Sequence, residues 1–376
     1  MKKGKTCLPA GRAALYDPYL DTLGGGEKHI LSILKVLEDD GYEINIFWNQ
    51  NLQSQIEGRF RLQFVNRLKF LPNIFNINLQ GSWNPEGSVK RLIALKDFDI
   101  FFYVTDGSYF FSSAKKNFVF CMVPDKKLYK LNLFNQLKTF NYRYIANSSF
   151  SQSWLRRWGI KSEVLYPFLN KEFIDLKVEG LKKENVILSI GRFYSHLHSK
   201  KQSVLINLFK KLKQLNPMFK DFKLIIAGGL KEEDKPYFNK LQSMIKNHPD
   251  ITLKTNLSYD QLLEFYRKSL IYIHLTGYDV DEDKQPGQVE HLGIAPLEAM
   301  ASGCLTYSYN AGGPKEIITD GKNGFLFNTQ EELVKKMSSI VSNPTLQTQV
   351  KKRAKQFVQD NFSYEIFKKR VKEVLL

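Results

Sequence analysis

Cysteine is scarce in this chain: Cys7, Cys121 and Cys304 stand far apart among 376 residues. That spacing supplies neither a disulfide framework nor a metal cluster, so a reducing cytosol is the simplest setting. Cys304, in an apolar run just after Gly303, reads as a small packed hydrophobe rather than a nucleophile. Long apolar runs are missing as well. No window approaches twenty uninterrupted apolar residues, and the first ten residues lack a signal-peptide core, so neither a membrane-spanning chain nor secretion by that route is expected. Carboxylates are in deficit, 38 Asp and Glu against 55 Lys and Arg, a formal charge of +17. Such a balance calls for a partner of opposite sign: nucleic acid, an anionic membrane surface or acidic small molecules. Nucleic acid is disfavoured, because no zinc-finger spacing, RRM-like glycine-aromatic signature or basic zipper occurs. No internal repeat or low-complexity segment is evident either.

What the chain has is core material and a regular alternation. Hydrophobic residues make up 43% and aromatics 13% of a length that suits two domains. Apolar runs at Arg12–Tyr16, Gly41–Trp48, Asp99–Asp106, Asn117–Val123 and Tyr142–Ala146 read as strands. A second series starts at Asn185–Ile190 and continues with Lys223–Gly229 and Ser269–His274. Helical or irregular segments separate them, which predicts parallel sheets covered on both faces. The polar, aperiodic stretch 171–183 is expected to link a domain 1–170 to a domain 184–361, with a basic amphipathic helix at 362–376.

The basic residues are concentrated. Positions 51–150 hold 14 Lys and Arg against 6 Asp and Glu, interleaved with large apolar residues in Arg59–Phe70 and Lys126–Phe134. Either run can lie at a lipid headgroup boundary; ordinary amphipathic elements with solvated lysines would look the same.

Phosphate chemistry is suggested at the first turn, where Gly24-Gly25-Gly26-Glu27 separates a strand from the helical pattern Lys28–Asp39. Glycines let the backbone approach a diphosphate and leave helix-terminal N–H groups free, although a tight turn alone would use them too. The stretch Glu290–Gly303 carries the other signal. Glu290 and Glu298 flank a helix start, with Pro296 suited to the first helical position and Gly303 to a left-handed cap. Glu290 would then lie in the preceding loop and Glu298 in the first turn. Two acceptors beside free helix N–H donors suit a polyhydroxyl sugar on a nucleotide diphosphate. Arg192, Lys200, His274 and the Glu290 segment all follow strands, so one crevice at the carboxyl ends can contain them. His196 and His198 lack further ligands nearby, and Asp279-Val-Asp281-Glu-Asp283 reads as a solvated acidic loop, so no metal site is expected.

Glu290-x-x-Gly-x-x-x-x-Glu298-Ala-Met-Ala-Ser-Gly303, Ala311-Gly-Gly-Pro-Lys-Glu-Ile317 and Asn323-Gly-Phe-Leu-Phe327 together resemble the C-terminal signature of glycosyltransferase family 4. Gly24-Gly25-x-Glu27 and the Gly191-Arg192 strand end resemble its other motifs. The resemblance implies two Rossmann-like doubly wound domains facing a central crevice, the GT-B architecture, and a retaining, metal-independent reaction without cofactor. Glu290 would bind donor-sugar hydroxyls near the reacting carbon, and Glu298 the nucleotide ribose. Ile294, Ala295 and Leu297 would hold sugar or diphosphate, with Gly24, Gly25 and His274 also on the donor. Arg192 and Lys200 would neutralise the leaving group; Lys201 is adjacent, and Lys200 is favoured by the helix that follows. One departure is the segment 117–124, where relatives carry a histidine and this chain has Phe120 and Cys121. The closest likeness is to mannosyltransferases that extend lipid-linked oligosaccharides. GDP-mannose is therefore the favoured donor over UDP-hexose, with a glycan or lipid-linked acceptor at the cytoplasmic face of a membrane. A nucleotide-sugar epimerase shares the architecture, and a noncatalytic lipid- or polysaccharide-binding protein would retain the crevice.

Overall fold

The computed structural model describes residues 10–75, 85–195 and 199–375. They form two compact units, Met1–Pro167 with Phe367–Leu376, and Phe168–Ile366. The first unit holds a seven-stranded parallel sheet: β1 (Gly11–Tyr16), β2 (Tyr42–Phe47), β3 (Lys69–Leu71), β4 (Ile100–Val104), β5 (Lys116–Cys121), β6 (Tyr142–Ala146) and β7 (Ser162–Val164), in the order β3-β2-β1-β4-β5-β6-β7. The second holds β8 (Glu184–Ile190), β9 (Lys223–Gly228), β10 (Ile251–Thr255), β11 (Ser269–His274), β12 (Leu305–Tyr309) and β13 (Phe325–Phe327), in the order β10-β9-β8-β11-β12-β13. Both orders reverse beside the first strand of the unit, which is the doubly wound pattern, and both sheets are parallel throughout.

The central strands form where the sequence runs apolar without interruption, since a parallel strand buried on both faces has no polar side. In the first unit the high aromatic content becomes one cluster. Tyr16 stacks on Phe75 at 4.4 Å, Phe75 on Phe101 at 5.6 Å, and Phe110 meets Tyr103 edge-on at 5.0 Å. Several expectations change here. The stretch 171–183 is no free linker: Lys171–Ile174 is helical, Phe173 sits edge-on against Tyr266, and Lys183 donates its ammonium protons to the carbonyls of Tyr266 (3.1 Å) and Ser302 (2.7 Å). Polarity and lack of periodicity do not reveal that Lys183 serves backbone carbonyls at the ends of two helices. In Arg59–Phe70 the side chains of Phe60, Leu62, Phe64 and Leu68 are buried, so most of the run's apolar residues are core and only Val65 among the large ones stands fully exposed. Cys121 and Cys304 are buried free thiols, and burial pushes Cys121 up to about 12, which removes it as a nucleophile.

His29 lies inside the helix Gly25–Asp39, edge-on to Phe120 at 4.9 Å, and its Nε2 has no hydrogen-bond partner. Burial first, and the Lys28 charge second, lower its pKa to about 3. The ring is thus neutral when folded and protonates near 6.5 when unfolded, so stability is full above pH 6.5 and falls as pH drops toward 3. His29→Leu should therefore flatten the stability profile, by about 3 kcal/mol at pH 4 relative to pH 7. Urea denaturation across that range tests it; parallel profiles for the two proteins would rule the account out.

Candidate functional site

The second unit gathers its charged residues where its strand order reverses, at the carboxyl ends of β8 and β11. β8 runs out through Gly191 into Arg192, and β11 ends on His274. Glycine is required on this edge. A Cβ on Gly228, at the end of β9, would strike the carbonyl of Gly191, and one on Gly191 would strike Lys200 Cγ. The Arg192 carbonyl accepts from the buried Gln202 at 2.9 Å, and Tyr237 donates to the Gln202 oxygen at 3.1 Å, so the turn is held from behind. Arg192 itself is exposed, its guanidinium 5.5 Å from the Tyr194 ring centre.

Glu290 is the centre of the constellation. Its Oε2 receives Lys200 Nζ at 2.7 Å and His274 Nε2 at 2.8 Å, while neither engages Oε1. Lys201, the other register, adopts a left-handed backbone (φ 52°) and caps the helix Gln202–Leu215; the ammonium that reaches Glu290 is Lys200. Burial would raise the Glu290 pKa, but the Lys200 charge and the His274 hydrogen bond outweigh it and hold the carboxyl well below its usual range. His274 is buried, and burial lowers its pKa despite the opposing pull of Glu290. A neutral ring whose Nε2–H faces a carboxylate leaves Nδ1 as acceptor, and the Tyr272 hydroxyl stands 3.3 Å from it. Tyr272 and His274 share a face of β11 because they are two residues apart. His274 thus braces Glu290 from within the core.

The other flank is the helix Ile294–Ala301, which starts two residues before the sequence reading placed it. Gly293, at φ 106°, turns the chain into it, and Pro296 is accommodated in the first turn. Glu298 consequently lies in the second turn, where its Oε2 accepts the Tyr266 hydroxyl at 2.9 Å. Ile294 and Ala295 open the helix, so their N–H groups have no partner within it. Leu297 offers neither group: its side chain is fully buried and its N–H is bonded to Gly293 O at 3.1 Å. Gly303 has the left-handed conformation expected of it (φ 72°).

The Ala311-Gly-Gly-Pro turn fastens this arrangement. Gly313 N–H donates to Glu290 O at 2.8 Å, and a Cβ on Gly312 (φ 66°) would collide with that same carbonyl. Glu282 accepts from Gly312 N–H at 2.7 Å and pairs with Lys315, while Asp281 accepts from the N–H groups of Asp283 and Lys284. The acidic loop is therefore a clasp. Among the described residues no group of three or more His, Cys, Asp or Glu could hold a metal ion; His196 and His198 lie outside them.

Gly24 and Gly25 belong to the first unit. The Gly24 N–H is taken by Glu27 Oε2 at 2.6 Å, which closes the turn, and Gly25 is exposed at the first helical position. Three supporting residues escaped the sequence reading: Tyr266, Tyr272 and Gln202. Tyr272, two positions before His274, and Gln202, at the start of a helix, are features too common to single out, and Tyr266 carries no signal at all.

Residues 171–357 match the family described as Glycosyl transferases group 1, and the two doubly wound units have the fold of GT-B glycosyltransferases. Among these it resembles the mannosyltransferases of lipid-linked oligosaccharide assembly. It is 26% identical over 257 residues to the GDP-Man:Man(3)GlcNAc(2)-PP-Dol alpha-1,2-mannosyltransferase of Dictyostelium discoideum, covering 64% of this chain and 48% of that protein. The chain thus spans about half the length of that curated relative. An uncharacterized glycosyltransferase of Methanocaldococcus jannaschii is 25% identical over 94% of both chains. The crystal structure of a Rickettsia africae glycosyltransferase superposes with a TM-score of 0.73 at 18% identity, covering 97% of each chain.

Proposed function

We propose that the chain is a retaining, metal-independent glycosyltransferase that moves a hexose, with mannose favoured, from a nucleoside diphosphate to a glycan or lipid-linked acceptor at the cytoplasmic face of a membrane. The observation that carries this reading is Glu290, a carboxylate held ionised by Lys200 and His274 with Oε1 left to accept sugar hydroxyls. As the bond from the sugar's anomeric carbon to the diphosphate oxygen breaks, negative charge grows on the departing group. Fixed cations such as Arg192 and Lys200 stabilise that charge more in the transition state than in the ground state. The acceptor hydroxyl oxygen bonds to the same carbon and gives its proton to the leaving diphosphate. Ile294 and Ala295 N–H groups supply further donors at the helix start. GDP-mannose is preferred because the chain is similar to mannosyltransferases, among them one named for GDP-mannose. No helix of the described residues is long and apolar enough to cross a membrane, so lipid contact would be peripheral.

The test is mass-spectrometric turnover of GDP-mannose and UDP-glucose with membrane extract in EDTA, followed by anomer assignment of the product. Mannose transfer in EDTA with the donor's configuration kept is the expected result. A new nucleotide sugar formed without acceptor would replace the proposal with an epimerase. Absence of transfer and of donor hydrolysis with either nucleotide would remove the enzymatic reading for these donors.

A further inference from the structure

The helix Leu133–Lys138 has its polarity inverted. Its polar side chains are spent on the neighbouring backbone: Asn132 Oδ1 accepts from Asn135 N–H at 2.9 Å, Asn135 donates to Lys130 O at 2.8 Å, and Gln136 donates to Leu131 O at 2.8 Å. Its large apolar side chains face outward. Leu133 is 85% exposed, Phe134 53% and Leu137 57%, and Phe140, just beyond the helix, is 77% exposed. Solvent-facing helices ordinarily do the opposite, and a cluster of large apolar residues of this kind marks a surface meant for contact.

The charge beside this helix is mostly positive. Positions 126–140 contain four lysines and no Asp or Glu. Lys126, Lys127 and Lys130 are exposed, and the Lys138 ammonium lies 4.4 Å from the Phe134 ring centre. A second helix of the same unit, Pro85–Leu95, adds exposed Val89 and Ile93, beside an exposed Lys90–Glu86 ion pair at 2.7 Å that contributes no net charge. The two helices flank one segment: Ser113 donates to Leu92 O and Asn141 donates to Ser112 O. Rings and aliphatic chains ringed by ammonium groups suit a bilayer, whose acyl boundary takes the former and whose phosphates take the latter.

We infer that Leu133, Phe134, Leu137 and Phe140, with Val89 and Ile93, form a lipid-inserting face of the first unit, and that its partner is a bilayer carrying anionic headgroups. This names the surface for the membrane contact proposed above, and it concerns association alone, so it can be tested without any turnover. The full chain is sedimented with phosphatidylcholine vesicles with and without phosphatidylglycerol. Wild type should partition onto the anionic vesicles. The double variant Phe134→Ser/Phe140→Ser should lose about tenfold or more of that partitioning, and Lys127→Glu/Lys130→Glu should abolish the preference for anionic lipid. Leu215→Ser, an exposed leucine of the second unit, should bind as wild type does. Phe134→Trp should be quenched by brominated acyl chains. Thermal unfolding of each variant identifies any that fails to fold. Failure of wild type to bind anionic vesicles, or undiminished binding by the two serine substitutions, would overturn the inference. So would a wild-type dimer in gel filtration that those substitutions dissociate, since the face would then belong to a second copy. Loss of sugar transfer with vesicle binding intact would count against the proposed activity and leave this surface standing.

Discussion

Glu290→Ala is expected to reduce sugar transfer by about two to three orders of magnitude with the second unit still folded. The size follows from what converges on this carboxylate. Lys200 and His274 both reach Oε2, and together they overcome the burial that would otherwise favour the protonated acid. Removing it takes away a fixed negative acceptor and also leaves the buried Nε2–H of His274 without its partner, which costs about 1–3 kcal/mol. Glu290→Gln separates the two consequences, because an amide oxygen can still accept from His274 while the charge is gone. Single-turnover rates measured well below the unfolding temperature of each variant should rank wild type far above glutamine, and glutamine at or above alanine. An alanine variant close to the wild-type rate would sink the assignment. The acid side of the wild-type profile should also fall below the ordinary histidine range. Burial lowers the His274 pKa, and a proton added there would put a second positive charge next to Lys200.

Much of this architecture could be read before any coordinates, for a reason visible in particular strands. Ile100–Val104 and Ser269–His274 are buried along their whole length, so their apolar runs are unbroken and only a parallel, doubly covered sheet accommodates them. The three-residue strands β3, β7 and β13 stayed invisible because so short a segment has no periodicity to detect. Gly293 hid the true start of the helix at Ile294: positive φ is a backbone property that a glycine permits without announcing. In the site, Glu290 and Lys200 could be nominated separately, but their pairing spans 90 positions and depends on the return of two different loops to one strand edge. The contact of His274 with Glu290 was hidden for a related reason. Period-two alternation places the histidine on a face of β11 without saying which face looks into the core, where Tyr272 holds it. The same ambiguity governed the two basic, aromatic runs. Arg59–Phe70 and Lys126–Phe134 have similar composition, yet the first folds its rings inward while the second continues into the exposed Leu133–Lys138 helix.

Gly191→Ala should be nearly silent in stability and severe in activity. Gly191 has no left-handed strain to relieve, and its N–H continues the ladder to Ala227 O at 2.9 Å, a bond that alanine keeps. The added methyl would instead strike Lys200 Cγ and come within 3.0 Å of Cδ, near the root of the side chain, so the whole lysine must rotate off Glu290. The broken ion pair is partly solvated, with side-chain exposures of 23% and 19%, and such pairs contribute about 0–1 kcal/mol to folding. Displacing a cation that meets the leaving diphosphate is another matter, and a loss of about a hundredfold in kcat/KM is expected, matching Lys200→Ala. The two changes act on one interaction, so the double variant Gly191→Ala/Lys200→Ala should be no worse than Lys200→Ala alone. Multiplying losses would mean that the glycine acts on something other than Lys200, and an unimpaired Gly191→Ala would mean that the diphosphate does not depend on where Lys200 stands.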